Sequence, residues 1–251
     1  MTSRRDSETQ RILKHAVLLV ATGLCFSAPA IAQDKIAVRP PGIHDEVLAQ
    51  ANGPAVHYAI SVPPGYHGAP VPLVLALHFG GDPRGAGRAM LQILIQPALG
   101  ELGALIIAPD SLGGGWSTPA NQQGVDALLA AVEKSYAVDQ KKVIVTGFSM
   151  GGQGTWYWAD TYPDRFSAAI PISGRPTPSA ATWRLPVFAV HSRDDQVMPI
   201  APTEQRIAEL KQRGINAQIV ELNGIEHFET YKFVSGLRQA LPWIQEIWKT
   251  K

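Results

Sequence analysis

Val143-Ile144-Val145-Thr146-Gly147-Phe148-Ser149-Met150-Gly151-Gly152-Gln153-Gly154 changes character twice. Residues 143–146 are a short β-branched run, as expected of a strand covered on both faces. The next five read Gly-x-Ser-x-Gly, and a helical pattern follows over residues 152–159. A serine on so sharp a strand-to-helix turn is held in a strained backbone conformation that exposes its hydroxyl at the end of the sheet. Strand and helix then approach closely, and the flanking positions tolerate little side chain. Gly147, Gly151 and Gly152 meet that demand. Three fixed positions alone match by chance in roughly one chain of this length in ten; the strand before and the helix after make the pattern informative.

Outward from this turn the same alternation continues. Apolar runs at residues 71–78, 105–108, 143–146, 168–172 and 187–190, and more weakly 217–222, read as buried strands. Residues 55–62 alternate and end in Pro63-Pro64-Gly65, which reads as an edge strand closed by a turn. Helical patterns lie between them at residues 90–99, 124–136, 152–159, 202–213 and 230–248, with Pro242 expected to break or kink the last. Strands alternating with helices predict an α/β fold with a mostly parallel central sheet and helices on both faces. The span between residues 172 and 187 is too short for a large cap domain.

A serine hydroxyl becomes nucleophilic when a base takes its proton, and that base needs an acid to fix its tautomer. On a turn of this kind the partners follow in the order Ser, acid, His. Asp194 and Asp195 stand just past the apolar run ending at Val190, at the sheet edge where ligands bind, and either suits the role. His227 is the only histidine after them. A histidine base must be neutral, so activity is expected to rise with pH through the histidine range, near ~6.5. The oxyanion of acyl attack needs two aimed N–H donors. Met150, next after Ser149, supplies one; Gly80, in the loop after residues 71–78, is expected to supply the other, with Phe79 the alternative. The remaining histidines have no metal-ligand spacing such as H-x-x-x-H, and the expected site holds no metal or cofactor.

The N-terminus differs in kind. Arg4, Arg5, Arg11 and Lys14 precede the apolar run of residues 16–26, which is followed by Ala30-Ile31-Ala32. That is the layout of a secretory signal peptide cleaved after Ala32. The expected domains are therefore a signal at 1–32 and one catalytic domain at 33–251, secreted or periplasmic. The run falls short of the roughly 20 residues that span a bilayer, so no stable membrane anchor is expected. Cys25, the only cysteine, leaves with the signal, which removes disulfides and thiolate chemistry from the mature chain. Net charge is +1 with no basic block, which argues against nucleic-acid partners.

With these residues assembled, the chain resembles the phospholipase/carboxylesterase group of small α/β-hydrolases and the related secreted, depolymerase-like esterases. The likeness rests on residues 77–81, 147–152, Tyr162-Pro163-Asp164-Arg165-Phe166, Pro171-Ile172-Ser173-Gly174, the H-x-x-x-D-x-x-x-P frame of residues 191–199, and Gly224-x-x-His227. It implies the α/β-hydrolase fold and an acyl-enzyme on Ser149, with His227 as base and, by the His191 frame, Asp195 as the acid. It also makes Trp116 a wall of the substrate pocket. Phe79 and Ser192 stand where the family usually has glycine, and Phe79 is expected to narrow the acyl site. The resemblance implies a small-molecule or polymer-displayed carboxylic ester as substrate, and leaves the oligomeric state open. A serine peptidase on the same triad is the alternative, and a binding protein that kept the fold is a third reading.

Overall fold

Alternation along each central strand divides the core of the computed structural model, which describes residues 35–178 and 181–250. The strands are β1 (Gly42–Leu48), β2 (Val56–Val62), β3 (Val71–Leu77), β4 (Leu105–Pro109), β5 (Val138–Phe148), β6 (Ala168–Ile172), β7 (Val187–Ser192) and β8 (Ala217–Leu222). α1 (Ala86–Met90) runs through a π-helical turn (Leu91–Ile95) into α2 (Gln96–Leu99). Then come α3 (Pro119–Ser135), α4 (Met150–Thr161) and α5 (Ala201–Gln212). A 3₁₀ turn (Thr230–Phe233), α6 (Val234–Arg238) and α7 (Ala240–Lys249) end the chain.

Leu73, Leu75 and Leu77 of β3 join one core with Leu128 and Val132 of α3, Trp156 and Trp158 of α4, and Leu210 of α5. Val74 and Ala76 join the other, with Met90 of α1, Leu99 of α2, Leu237 of α6 and Ile244 of α7. A period of two along the strands thus faces a helix layer on each side. Each fully buried leucine here contributes about 1.5–3 kcal/mol relative to an exposed one.

One eight-stranded sheet results, in the order β1-β2-β4-β3-β5-β6-β7-β8. β1–β2 and β2–β4 are antiparallel; every other pair is parallel. From β3 the chain passes to β4 on one side and then to β5 on the other. That reversal opens a crevice at the strands' C-terminal ends, where ligands bind in open α/β sheets. Between β6 and β7 the described residues form no helix or strand, so no large cap covers that crevice.

Three expectations need correcting. β2 is not an edge strand: it pairs with both β1 and β4. The edge is β1, whose charged and half-exposed side chains give no apolar run. β5 starts at Val138, five residues before its apolar part: Val138 pairs with Val71 of β3, a register shift separates that pair from Leu73–Val143, and residues 138–142 are half-exposed or exposed. The last helical pattern breaks at Gln239 rather than at Pro242, which sits in the first turn of α7, where a missing N–H costs no helical bond. The expected signal segment, 1–32, lies outside the described residues.

Candidate active site

Ser149 follows β5 and caps α4 with φ 57° and ψ −113°, a region closed to unstrained L-residues. Among the described residues only Ser173, on the neighbouring strand end, shares positive φ without being glycine. The turn is held by its own backbone: Ser149 N–H donates to the Ile172 carbonyl at 2.9 Å, and Ser149 C=O accepts from Gln153 N–H at 2.9 Å. It closes only because side chains are missing. A Cβ on Gly147 would lie 2.4 Å from the Gly151 carbonyl oxygen, and one on Gly151 would lie 1.8 Å from that of Leu77.

The structure brings Ser149, His227 and Asp195 together. His227 Nε2 is 2.8 Å from Ser149 Oγ, and His227 Nδ1 is 2.8 and 2.9 Å from the two carboxylate oxygens of Asp195. A carboxylate only accepts, so Nδ1 carries the proton and Nε2 is left to accept from the serine hydroxyl. Asp195 is buried, and burial pushes its carboxyl up. The hydrogen bonds from His227 and the Met198 N–H outweigh that and hold it below the usual carboxylate range. Val197 N–H adds a second backbone donor at 3.0 Å. Phe148 lies against the imidazole with ring centroids 5.1 Å apart.

Asp194, the other sequence candidate, is exposed and turned away; its Oδ2 accepts from Gly224 N–H at 2.6 Å. The same stretch ties down the histidine loop elsewhere. Ser192 Oγ donates to the Ile225 carbonyl at 2.6 Å, Arg193 pairs with Glu221, and Arg193 N–H donates to the Leu222 carbonyl at 2.8 Å. Four consecutive residues, Ser192 to Asp195, therefore each hold the segment 221–227. Sequence reasoning noted Ser192 only as a departure from glycine; its hydroxyl is a fastener two residues before His227.

The loop after β3 is pinned at three points. His78 Nε2 accepts from Ser111 N–H at 2.9 Å, His78 Nδ1–H donates to the Phe79 carbonyl at 2.5 Å, and Trp116 Nε1–H donates to the His78 carbonyl at 2.9 Å. In a planar trans peptide N–H and C=O point oppositely, so fixing the Phe79 carbonyl also fixes the Gly80 N–H, on the side away from the His78 ring. Met150 is the first residue of α4, where a helix leaves N–H groups without intrahelical partners. Trp116 is not a pocket wall. It is buried in the core, packed over Gly154, where a Cβ would come within 2.6 Å of its own. The bulky indole serves the loop from behind.

A pocket of about 480 Å³ opens over Ser149 and His227, with Phe79, Gly80 and Phe148 in its lining. Phe79 is the bulky side chain that stands where the resembling family usually has glycine. Sequence reasoning missed Ile93, Val197, Phe228 and Tyr231, which also line it; the only signal available was that Phe228 adjoins His227. Among the described residues no group of three or more His, Cys, Asp or Glu is placed to hold a metal ion.

His78 and His191 are both buried outside the triad, His191 with Nε2 2.7 Å from the Met198 carbonyl oxygen. Burial lowers both below the ordinary histidine range, against the opposing pull of their carbonyl partners and of Asp110 or Asp195. The unfolded chain takes up these protons below about pH 6.5 while the native one does not. Stability is therefore complete above that pH and falls on acidification, by up to about 1.4 kcal/mol per pH unit for each histidine. The depressed Asp195 acts lower, where its contribution fades only below the ordinary carboxylate range of about 4. Denaturant midpoints should rise from about pH 5 to about 6.5 and level off above it; a flat or inverted profile over the lower range would contradict neutral buried histidines.

Residues 72–208, over half of the chain and including the strand-turn-helix at Ser149, match a family model described as the alpha/beta hydrolase fold. The chain belongs to the α/β-hydrolase family. This hydrolase is 27% identical over 203 residues to a probable feruloyl esterase C of Aspergillus terreus, covering 75% of this chain and 72% of that protein. It is 27% identical over 179 residues to a probable acetylxylan esterase A of Aspergillus flavus, covering 66% and 57%. Among solved structures, a thermostable esterase superposes with a TM-score of 0.70 at 22% identity over 81% of this chain and 62% of that one. A ferulic acid esterase does so with 0.65 at 18% over 83% and 99%. At such identities these two show the hydrolase's fold alone.

Proposed function

We propose that this hydrolase of carboxylic esters works through an acyl-enzyme on Ser149, with His227 as general base and Asp195 as the acid that orients it. The observation that carries the reading is the unbroken chain of bonds Asp195–His227–Ser149, at 2.8 Å on each side of the imidazole. The Ser149 hydroxyl attacks the ester carbonyl while its proton passes to His227 Nε2. The oxyanion is met by the N–H groups of Met150 and Gly80. His227 returns the proton to the departing alcohol, then takes one from the water that attacks the acyl-serine, and passes it to Ser149 Oγ as the acid leaves. Asp195 stays ionised throughout and steadies the imidazolium.

A fluorophosphonate probe followed by peptide mapping tests this: phosphonylation at Ser149, absent in Ser149→Ala, is expected. Labelling elsewhere, or none, rejects the nucleophile. A matched ester and amide panel separates the esterase from a peptidase that uses the same residues.

Export is the second part of the proposal. The basic and apolar layout of residues 4–26 and the Ala30-Ile31-Ala32 site support removal of residues 1–32 on a secretory route. No helix among the described residues is long and apolar enough to cross a membrane. The intact mass of exported protein should correspond to a chain beginning at Gln33. A mass that retains Met1 to Ala32 would refute it.

A further inference from the structure

The pocket over Ser149 has no carboxylate, ammonium or guanidinium in its lining. Six large apolar side chains are exposed among the described residues, and four of them line this one pocket: Ile93 (39%), Val197 (44%), Phe228 (84%) and Tyr231 (62%). The other two, Val38 and Val47, lie near the N-terminal edge of the sheet. Clustered exposed apolar groups add little to folding, and around a catalytic crevice they mark a surface that meets an apolar ligand.

The segment that carries Phe228 and Tyr231 is tied down. The Phe228 ring stands edge-on to the His227 imidazole, with centroids 5.3 Å apart and planes at 89°. Tyr231 projects from the 3₁₀ turn whose Phe233 is buried against Phe148. Glu226 and Glu229 exchange backbone and side-chain bonds across that segment, and Lys232 pairs with Glu229. Ile93 comes from the π-helical turn, where Leu91, Leu94 and Ile95 are buried and Ile93 is left outside. Two exposed aromatic side chains in the lining of one pocket with the imidazole form a shape that a small acyl group would not fill.

We propose that Phe228 and Tyr231 form a subsite for an aromatic ring of the ester, so that the substrate class is aryl-bearing carboxylic esters rather than short aliphatic ones. The inference rests on the nucleophile reading above. Aromatic pairs gain from offset or edge-on contact beyond the area they bury, which a saturated ring of the same size does not reproduce. The ring can belong to the acyl half or to the alcohol half, and the chemistry is shared.

Two matched pairs of substrates separate these sources. Methyl 3-phenylpropanoate against methyl 3-cyclohexylpropanoate places the ring on the acyl side; benzyl acetate against cyclohexylmethyl acetate places it on the alcohol side. The parent chain should prefer the aromatic member of one pair by ~5-fold or more in kcat/KM, chiefly through KM. In Phe228→Ala and Tyr231→Ala that ratio should fall toward unity, while Val38→Ala and Val47→Ala should keep the parent's ratio. Both rings are exposed, so unchanged melting temperatures are expected and confirm folded variants. A parent that takes the fluorophosphonate at Ser149 yet shows no aromatic preference, or variants that retain it, overturns the subsite alone. A parent whose Ser149 takes no probe overturns the nucleophile reading, and the subsite with it.

Discussion

Asp195→Asn is expected to lower kcat by about 10⁴-fold, about 5.5 kcal/mol of transition-state stabilisation, in a chain that still folds. The size follows from which oxygen does what. Oδ1 accepts from Val197 N–H at 3.0 Å and from Met198 N–H at 2.7 Å, so an asparagine keeps its oxygen there. Its amide nitrogen then replaces Oδ2 opposite His227 Nδ1, 2.8 Å away. A donor facing Nδ1 requires Nδ1 to be the acceptor, which moves the ring proton to Nε2. Nε2–H then points at Ser149 Oγ and can no longer take its proton. Asp194→Asn differs because its work is to accept Gly224 N–H, which the amide oxygen does as well. That variant should keep more than roughly a tenth of parental turnover, a loss under ~1.4 kcal/mol. Steady-state kinetics on both, with melting curves to confirm folding, decide the matter; the reverse order would reject Asp195 as the orienting acid.

That the choice between two adjacent carboxylates needed a family frame shows where local reading stops. The serine turn was legible because its demands are local: a strand, glycines where strand and helix touch, and a helix. His227 was legible because only one histidine follows the acids. Asp194 and Asp195 differ only in where their side chains leave the strand end, and that depends on a loop 30 residues away. β1 escaped because an edge strand carries exposed polar residues and shows no apolar run. Trp116 was misplaced for a similar reason: an indole after a Gly-rich loop suits a pocket or a core equally. Only its neighbours, Gly154 and the His78 carbonyl, decide for the core. Nothing in the sequence sets Phe228 and Tyr231 apart, because exposure is a property of the assembled surface.

Gly151→Ala should destabilise the chain by about 3 kcal/mol or more, lowering the melting temperature by about 6–12 °C, although the substitution lies inside a helix. In an unconstrained helix interior the same change would stabilise by up to about 1 kcal/mol. Here the added Cβ would stand 1.8 Å from the Leu77 carbonyl oxygen, 2.5 Å from its carbon and 2.8 Å from the His78 carbonyl oxygen. These are backbone atoms of β3 and of the loop that carries Gly80, so no rotamer change relieves the contact. β5 and β3 are in register at this level, with Gly147 opposite Leu77, and α4 cannot withdraw without dragging Ser149 out of reach of His227. The strain should therefore appear twice, as lost stability and as a fall in kcat in whatever folds. Gly65→Ala is the matched control, since a Cβ there meets nothing within 4 Å, and it should stay within about 0.5 kcal/mol of the parent. Thermal and denaturant unfolding of both variants measure the difference; a Gly151→Ala chain as stable as Gly65→Ala would mean that α4 does not rest on the end of β3 as closely as the turn at Ser149 demands.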